Sequence, residues 1–151
     1  MILDSGGWRA ALRPELGGVL ASLTFRGTEI LRTMPADATN PLDSAGFPLV
    51  PYANRIRNGR FEWAGVRVQL PHNFPPENSS IHGMGWQSAW YVAETGSDFF
   101  VLEHDHPGLG SLPWQPPIEQ WPWAYRSRQT VQLEPNCATI VLNVTTCSEL
   151  T

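Results

Sequence analysis

Apolar residues along most of the chain are grouped into short segments that suit β-strands. These segments form pairs, and a short turn containing Gly or Pro separates the members of each pair. No window carries the apolar stripe of a four-turn helix. The pattern therefore predicts an all-β, antiparallel fold, with paired strands at 19–25 and 28–31, 60–63 and 66–70, 90–93 and 99–102, and 125–133 and 138–144.

Two proline-rich segments, 33–51 and 104–122, interrupt this pattern and predict long loops. Long ordered loops in a compact β domain often line a binding site, and capping of the sheets is the alternative. The last predicted strand, 138–144, is followed by no closing turn. This indicates a sequence cut at its C-terminal side, with an open sheet edge through which a second copy would form a homodimer.

The composition is that of a soluble globular protein. Among 151 residues, 42% are apolar and 16% are charged, which is enough for a single domain over 1–151. No apolar run approaches the ~20 residues of a membrane span, and the N-terminus lacks the features of a signal peptide. If Cys137 and Cys147 share one extended strand, they are too far apart for a disulfide. We therefore expect a cytoplasmic protein with free thiols and no membrane attachment.

The charge of the chain excludes several classes of function. The net charge is −4, so we expect no nucleic-acid partner. All ten basic residues are arginine, which rules out a Schiff-base lysine or a P-loop lysine within this chain. Three of those arginines, Arg55, Arg57 and Arg60, nevertheless fall within six residues. Their crowding raises the question of which of them serves a ligand.

Groups that suit a neutral, polyhydroxylated ring lie around this arginine cluster. Arg55 offers a planar fork of donors, and Asn54 offers both a donor and an acceptor. His82 can exchange a proton near neutral pH. Trp86 and Trp90 have flat apolar faces, although we expect both to belong to the core in preference to a stacking platform. The sequence thus indicates a site for a sugar more than for a phosphate chain.

Strand alternation separates the arginines. It places Asn54 and Ile56 on one face and Arg55 and Arg57 on the other, so the arginines cannot all serve one ligand. We expect Arg57 and Arg60 to be solvated or paired at the surface. Arg55 then remains as the ligand-binding arginine.

These residues resemble the aldose 1-epimerase (galactose mutarotase) family. The resemblance is carried by an Asn-Arg-Ile triplet, a Gly-x-Phe element, a glycine hairpin and an Ile-His-Gly turn, and it extends over nearly the whole chain. The matching positions are Asn54, Arg55, Ile56, Gly59, Phe61, Gly65, Leu70, Asn73, Ile81, His82 and Gly83, with Gly17, Gly18, Leu20 and Leu23 upstream.

The resemblance implies a large antiparallel β-sandwich of the galactose mutarotase type. It implies interconversion of the α and β anomers of free aldoses, with no metal and no organic cofactor. Asn54 and Arg55 would hydrogen-bond sugar hydroxyls, and His82 would be a catalytic residue against the sugar near the reacting centre. The reaction needs a general acid on the ring oxygen and a general base on the anomeric hydroxyl.

The chain resembles only the N-terminal part of the family. The family's second histidine follows the strand that here ends at Thr151, and its glutamate base comes further on. His104 and His106 precede that strand and Glu149 lies at the wrong place, so none of them matches by order. We therefore expect the isolated chain to bind sugar without exchanging anomers.

Two other readings of the residues stay open. A non-catalytic carbohydrate-binding β-sandwich needs only the tryptophans, Arg55 and His82. A cupin-like metal site would use the ligand spacing of His104-Asp105-His106, with His72 and His82 as partners. Against the metal site, Pro107 and Gly108 break the strand at once, so a polar turn and no metal are the favoured interpretation.

Overall fold

The computed structural model describes residues 1–110 and 120–147, and regular structure in these ranges is almost entirely β. Single turns of 3₁₀ helix lie at Pro41–Asp43 and Gly85–Gln87. The described strands, in chain order, are β1 (Ile2–Ser5), β2 (Trp8–Arg13), β3 (Val19–Phe25), β4 (Thr28–Leu31), β5 (Arg55–Arg57), β6 (Arg60–Trp63), β7 (Val66–Gln69), β8 (Ser79–Ile81), β9 (Tyr91–Thr95), β10 (Phe99–His106), β11 (Tyr125–Glu134) and β12 (Cys137–Thr146).

Two four-stranded antiparallel sheets pack face to face. One has the order β1-β2-β3-β4 and the other the order β12-β11-β10-β9. Apolar side chains from both sheets form one buried cluster, because each strand turns alternate residues inward. This confirms the predicted all-β antiparallel sandwich. The cluster comprises Leu3, Ala10, Leu12, Leu20, Leu23, Val50, Trp90, Phe100, Leu102, Tyr125, Val131 and Leu133.

A polar side chain also ties the β11 strand to the opposite layer. Gln129 is buried, and its Nε2 donates to the carbonyl oxygen of Gly18 over 2.9 Å.

The turn before β3 needs glycine. Gly18 and Gly17 have φ of +67° and +68°. A Cβ on Gly17 would lie 2.0 Å from the carbonyl oxygen of Trp86, so glycine is required for this close approach. The turn before β3 thereby supports the segment that follows β8.

The eight strands that the sequence predicts are all present, with ends shifted by a few residues. The pattern does not predict β1, β2 or β8, and it indicates β5 only through the strand alternation applied to 54–57. β5 and β8 are three residues each, which is too short for a periodic pattern, and they form through their mutual pairing. β10 continues to His106, so the interpretation of 104–106 as a polar turn is wrong. β10 extends this far because His106 pairs with Tyr125 at the start of β11. The centre of the predicted loop 104–122, residues 111–119, lies outside the described residues.

Most of the β12 strand is exposed. Ala138 packs against the core, but Ile140, Leu142 and Val144 on the same face are 47%, 39% and 45% exposed. β12 is the last strand of its sheet in the described part of the chain. No charged residue occurs between Cys137 and Cys147. The strand therefore lacks the charges that usually protect an exposed edge.

Candidate functional site

Pairing of β5 with β8 brings Asn54 and His82 together. Arg55 lies opposite Ile81 in this pair, which places the two predicted site residues at the adjoining ends of the strands. The His82 N–H donates to the Asn54 carbonyl oxygen over 3.0 Å. In return, the Asn54 N–H donates to Nδ1 of His82 over 2.9 Å. Both residues have left-handed backbone, with φ of +68° at Asn54 and +61° at His82.

This second hydrogen bond determines which imidazole nitrogen can act as a donor. Nδ1 accepts from the backbone and so carries no proton, which leaves the proton of the neutral ring on Nε2. Burial and, to a lesser degree, the Arg55 charge lower the pKa of His82. The neutral ring with a free Nε2–H is therefore the favoured form. Such a group can donate to a sugar oxygen and is not a base in that form.

Arg55 lies beside His82 and is held by a carboxylate that sequence reasoning missed. Arg55 Nε donates to Glu77 Oε2 and Nη2 donates to Glu77 Oε1, each over 2.6 Å. The two side chains remain 48% and 36% exposed. The pair raises the pKa of Arg55 and lowers the pKa of Glu77. Only the β5–β8 pairing places Glu77 next to Arg55, so the sequence alone carries no signal for it.

The Asn54 side chain has a local role. Its Oδ1 accepts from the Arg55 N–H over 2.9 Å, which holds the turn into β5. Because of the positive φ, Asn54 precedes the strand and does not continue its alternation. Arg55 and Arg57 are both exposed and Ile56 turns inward, as predicted.

The turn that presents His82 is fixed by Asn73. Asn73 Nδ2 donates to the carbonyl oxygens of Ile81 and Gly83, over 2.8 and 3.0 Å. Its Oδ1 accepts from the Ile81 N–H over 2.7 Å. Trp86 Nε1 also donates to the Ile81 carbonyl. The resemblance included Asn73, and the structure shows it to be a support for the His82 turn.

Close packing against Val50 and Phe47 also supports the His82 turn. Gly83 has a φ of +69°, and a Cβ there would lie 2.0 Å from the carbonyl oxygen of Val50. The ring of Phe47 meets the edge of the His82 ring at a centroid distance of 6.2 Å and that of Trp86 at 5.9 Å. Phe47 belongs to the predicted loop 33–51, so this loop does contribute to the surroundings of His82.

Arg57 and Arg60 lie at the surface and the two tryptophans are buried, as predicted. Arg57 is exposed, and Arg60 Nε donates to Gln69 Oε1 at the surface. Trp86 and Trp90 are only 3% and 4% exposed. An open cleft of about 600 Å³ adjoins the site and is lined by Asn73 and Trp86 among others, although Asn54, Arg55 and His82 do not line it.

The alternation of β10 divides the residues of the alternative metal site. His104 is buried and stacks on Trp90 at 5.5 Å. Asp105 lies on the outer face and pairs with Arg126. His106 stacks on Tyr125, and its Nε2 bonds to the Trp121 carbonyl oxygen over 2.8 Å. Over 1–110 and 120–147, no group of three or more His, Cys, Asp or Glu is placed to hold a metal ion.

Comparison with known proteins defines the family. The model of the family described as aldose 1-epimerase matches residues 2–151. This chain belongs to the aldose 1-epimerase family. The uncharacterized protein YphB of Escherichia coli K12 is 30% identical over 131 residues, which are 87% of this chain and 41% of YphB. This assignment agrees with the resemblance that the site motifs indicate.

Solved structures share the fold. A candidate aldose 1-epimerase from Escherichia coli K12 superposes with a TM-score of 0.80 at 28% identity, over 96% of this chain and 45% of that one. A galactose mutarotase-like protein from Clostridium acetobutylicum gives a TM-score of 0.71 at 22% identity, over 97% of this chain and 45% of that one. The chain thus spans less than half the length of the relatives that it matches.

Proposed function

We propose that this chain is the N-terminal, sugar-binding portion of a single mutarotase-like β-sandwich that acts on free aldoses. The observation that carries the proposal is the Asn54–His82 hydrogen bond, which leaves Nε2–H of His82 free beside the Arg55 guanidinium. Arg55 and the Asn54 amide would bind sugar hydroxyls. His82 would donate to an oxygen near the anomeric centre and so act as the catalytic residue within this chain.

The reaction assigned to the whole enzyme is anomer exchange. A base removes the proton of the anomeric hydroxyl, the bond between C1 and the ring oxygen breaks, and an acid protonates that oxygen. Rotation about C1–C2 and closure on the other face give the second anomer, with no net change in protons. A neutral His82 supplies a donor but no base. Catalysis by this chain therefore needs a base from another source.

A ligand-observed NMR titration with D-galactose and D-glucose tests binding, and polarimetry of freshly dissolved α anomers tests exchange. We expect binding without acceleration over the spontaneous rate. Absence of binding to folded protein would overturn the proposal. Acceleration by the chain alone would support the epimerase activity and would refute the claim that the chain lacks a base.

A non-catalytic sugar-binding sandwich is the second candidate, and the packing of His104 and His106 favours it. Both rings are engaged in stacking, so neither replaces the family's second histidine. Chemical rescue separates the candidates. If His82 is catalytic, acetate supplied as an external base will accelerate exchange more with the chain than without it. His82→Asn will abolish that difference, whereas a binding module shows none with either protein.

The arginines and cysteines support the choice of partner and compartment. Arg9, Arg13, Arg55, Arg126 and Arg128 each pair with a carboxylate. Together with the net charge of −4, this pairing disfavours a nucleic-acid partner. The described part of the chain holds no helix long and apolar enough to cross a membrane. Cys137 and Cys147 are free and exposed, which suits the reducing cytoplasm.

The open edge of β12 supports a homodimer of this 151-residue chain. The exposed apolar stripe of Ile140, Leu142 and Val144 could pack against the same stripe of a second copy. The backbone N–H and C=O groups at the edge could pair with an identical strand, and no charged side chain of β12 opposes this. Two such edges meeting antiparallel about a two-fold axis form an isologous interface. A second copy is thus the proposed occupant of this edge.

A further inference from the structure

The Arg55–Glu77 pair uses one side of the guanidinium and leaves the other side open. Nε and one hydrogen of Nη2 are directed at the carboxylate. A guanidinium carries five N–H donors, so both Nη1 hydrogens and the second Nη2 hydrogen remain. Since the Arg55 side chain is 48% exposed, these donors are accessible to a ligand.

The carboxylate changes which ligand this arginine suits. An unpaired arginine binds phosphate or carboxylate through a two-pronged, charge-assisted contact. Here Glu77 already occupies one prong and cancels the charge, and its own charge repels a second anion placed beside it. A sugar hydroxyl both donates and accepts. Neighbouring hydroxyls can therefore donate to a Glu77 oxygen and accept from Arg55.

Resting on the proposed sugar-binding function, we propose that Glu77 is a specificity-determining residue. It reserves Arg55 for the hydroxyls of a neutral aldose and excludes sugars that carry a carboxylate or phosphate. The neighbouring site residues fit this assignment, because Asn54 is uncharged and the bond to Nδ1 favours neutral His82.

D-galactose and D-galacturonate form the matched probe pair, because they share the ring hydroxyls and differ in the C6 carboxylate. Their dissociation constants are measured by NMR titration at pH 7.5 and low salt. The proteins are wild type, Glu77→Gln, Glu77→Asp and Glu62→Gln. Glu62 is an exposed carboxylate on β6, so Glu62→Gln makes the same change in net charge away from Arg55. Backbone amide spectra verify that each variant is folded.

We expect Glu77→Gln to bind galacturonate about tenfold more tightly than wild type, as one freed charge-assisted contact allows. Galactose should bind no more tightly to Glu77→Gln than to wild type, because the amide oxygen that would accept from a sugar hydroxyl carries no negative charge. Glu77→Asp, which keeps the charge, and Glu62→Gln should both retain the preference of wild type for galactose. An unchanged galacturonate affinity in folded Glu77→Gln would overturn the proposal, as would an equal gain in Glu62→Gln.

Failure of the underlying sugar-binding function gives a different result. In that case the wild-type chain binds no galactose. A gain of galacturonate binding in Glu77→Gln would still support exclusion of anions by Glu77. No gain in that variant would overturn both proposals.

Discussion

The backbone N–H of Asn54 donates to Nδ1 of His82 over 2.9 Å, although 28 residues separate them in the chain. The His82 N–H in turn donates to the Asn54 carbonyl oxygen, so two hydrogen bonds join the residues. This relationship sets the tautomer of the imidazole. It makes Asn54 a residue that acts through its backbone as well as its side chain.

Arg55→Ala should weaken galactose binding about tenfold, because the guanidinium is the charged donor of the site. The fold should persist, since the Arg55–Glu77 pair lies at the surface. NMR titration measures the affinity and thermal unfolding measures the stability. Arg57→Ala removes an exposed arginine from the same strand and is the matched control. Equal galactose affinity in the Arg55 variant and wild type would refute the assignment.

The charge state of His82 should make the stability of the fold depend on pH. Burial and the Arg55 charge lower its pKa in the folded state below the ordinary value of about 6.5. The unfolded chain therefore binds the proton more readily. The contribution of neutral His82 to the free energy of unfolding is complete above about pH 6.5, and it is lost as the pH falls through the pKa of the folded state.

Titration of the His82 ring resonances by NMR measures this directly. The midpoint should lie below about 6.5 and rise partway toward it in Arg55→Met, because removal of the charge leaves the effect of burial. A midpoint in the wild type above that value would contradict the expected neutral ring.

Removal of the Asn73 side chain should loosen the His82 turn. Asn73→Ala loses three hydrogen bonds to backbone groups, which predicts a loss of about 2–3 kcal/mol in the free energy of unfolding. Asn73→Asp keeps the acceptor for Ile81 N–H and places a carboxylate oxygen where the donor was. Urea unfolding should thus rank both variants below wild type. A change within about 0.5 kcal/mol for Asn73→Ala would show that the turn is held by other contacts.

Gly83→Ala and Gly65→Ala separate backbone strain from steric conflict. Both glycines have positive φ, but only Gly83 faces a neighbouring atom within van der Waals distance of a Cβ. Gly65→Ala should cost about 1 kcal/mol through the left-handed backbone alone. Gly83→Ala should cost at least about 3 kcal/mol, because Val50 must also move. Urea unfolding checks the order, and equal losses would refute the steric explanation.

The β12 edge predicts concentration-dependent association of this 151-residue chain. Leu142→Lys places a charge in the middle of the exposed apolar stripe and should shift the chain from dimer to monomer in light scattering. Thr28→Lys, at an exposed position on β4 in the other sheet, is the control and should leave the dimer intact. A wild-type chain that remains monomeric at high concentration would exclude the second copy as the partner of β12.

The sequence by itself determined the fold class and most of the strands, and it predicts three residues of the candidate site. Alternation along 125–133 and the turn residues between strands are local signals, because pleating and positive φ depend on nearby residues. The Asn-Arg-Ile triplet and the Ile-His-Gly turn are likewise short segments, and they predict Asn54, Arg55 and His82 as site residues.

Only the tertiary structure decided how these residues are connected. Glu77 meets Arg55, and Asn54 meets Nδ1 of His82, because two three-residue strands pair across an intervening hairpin. Strands this short carry no readable period, and their existence depends on the partner. The same reason explains His106, whose stacking on Tyr125 follows from the pairing of β10 with β11 and not from its spacing to His104.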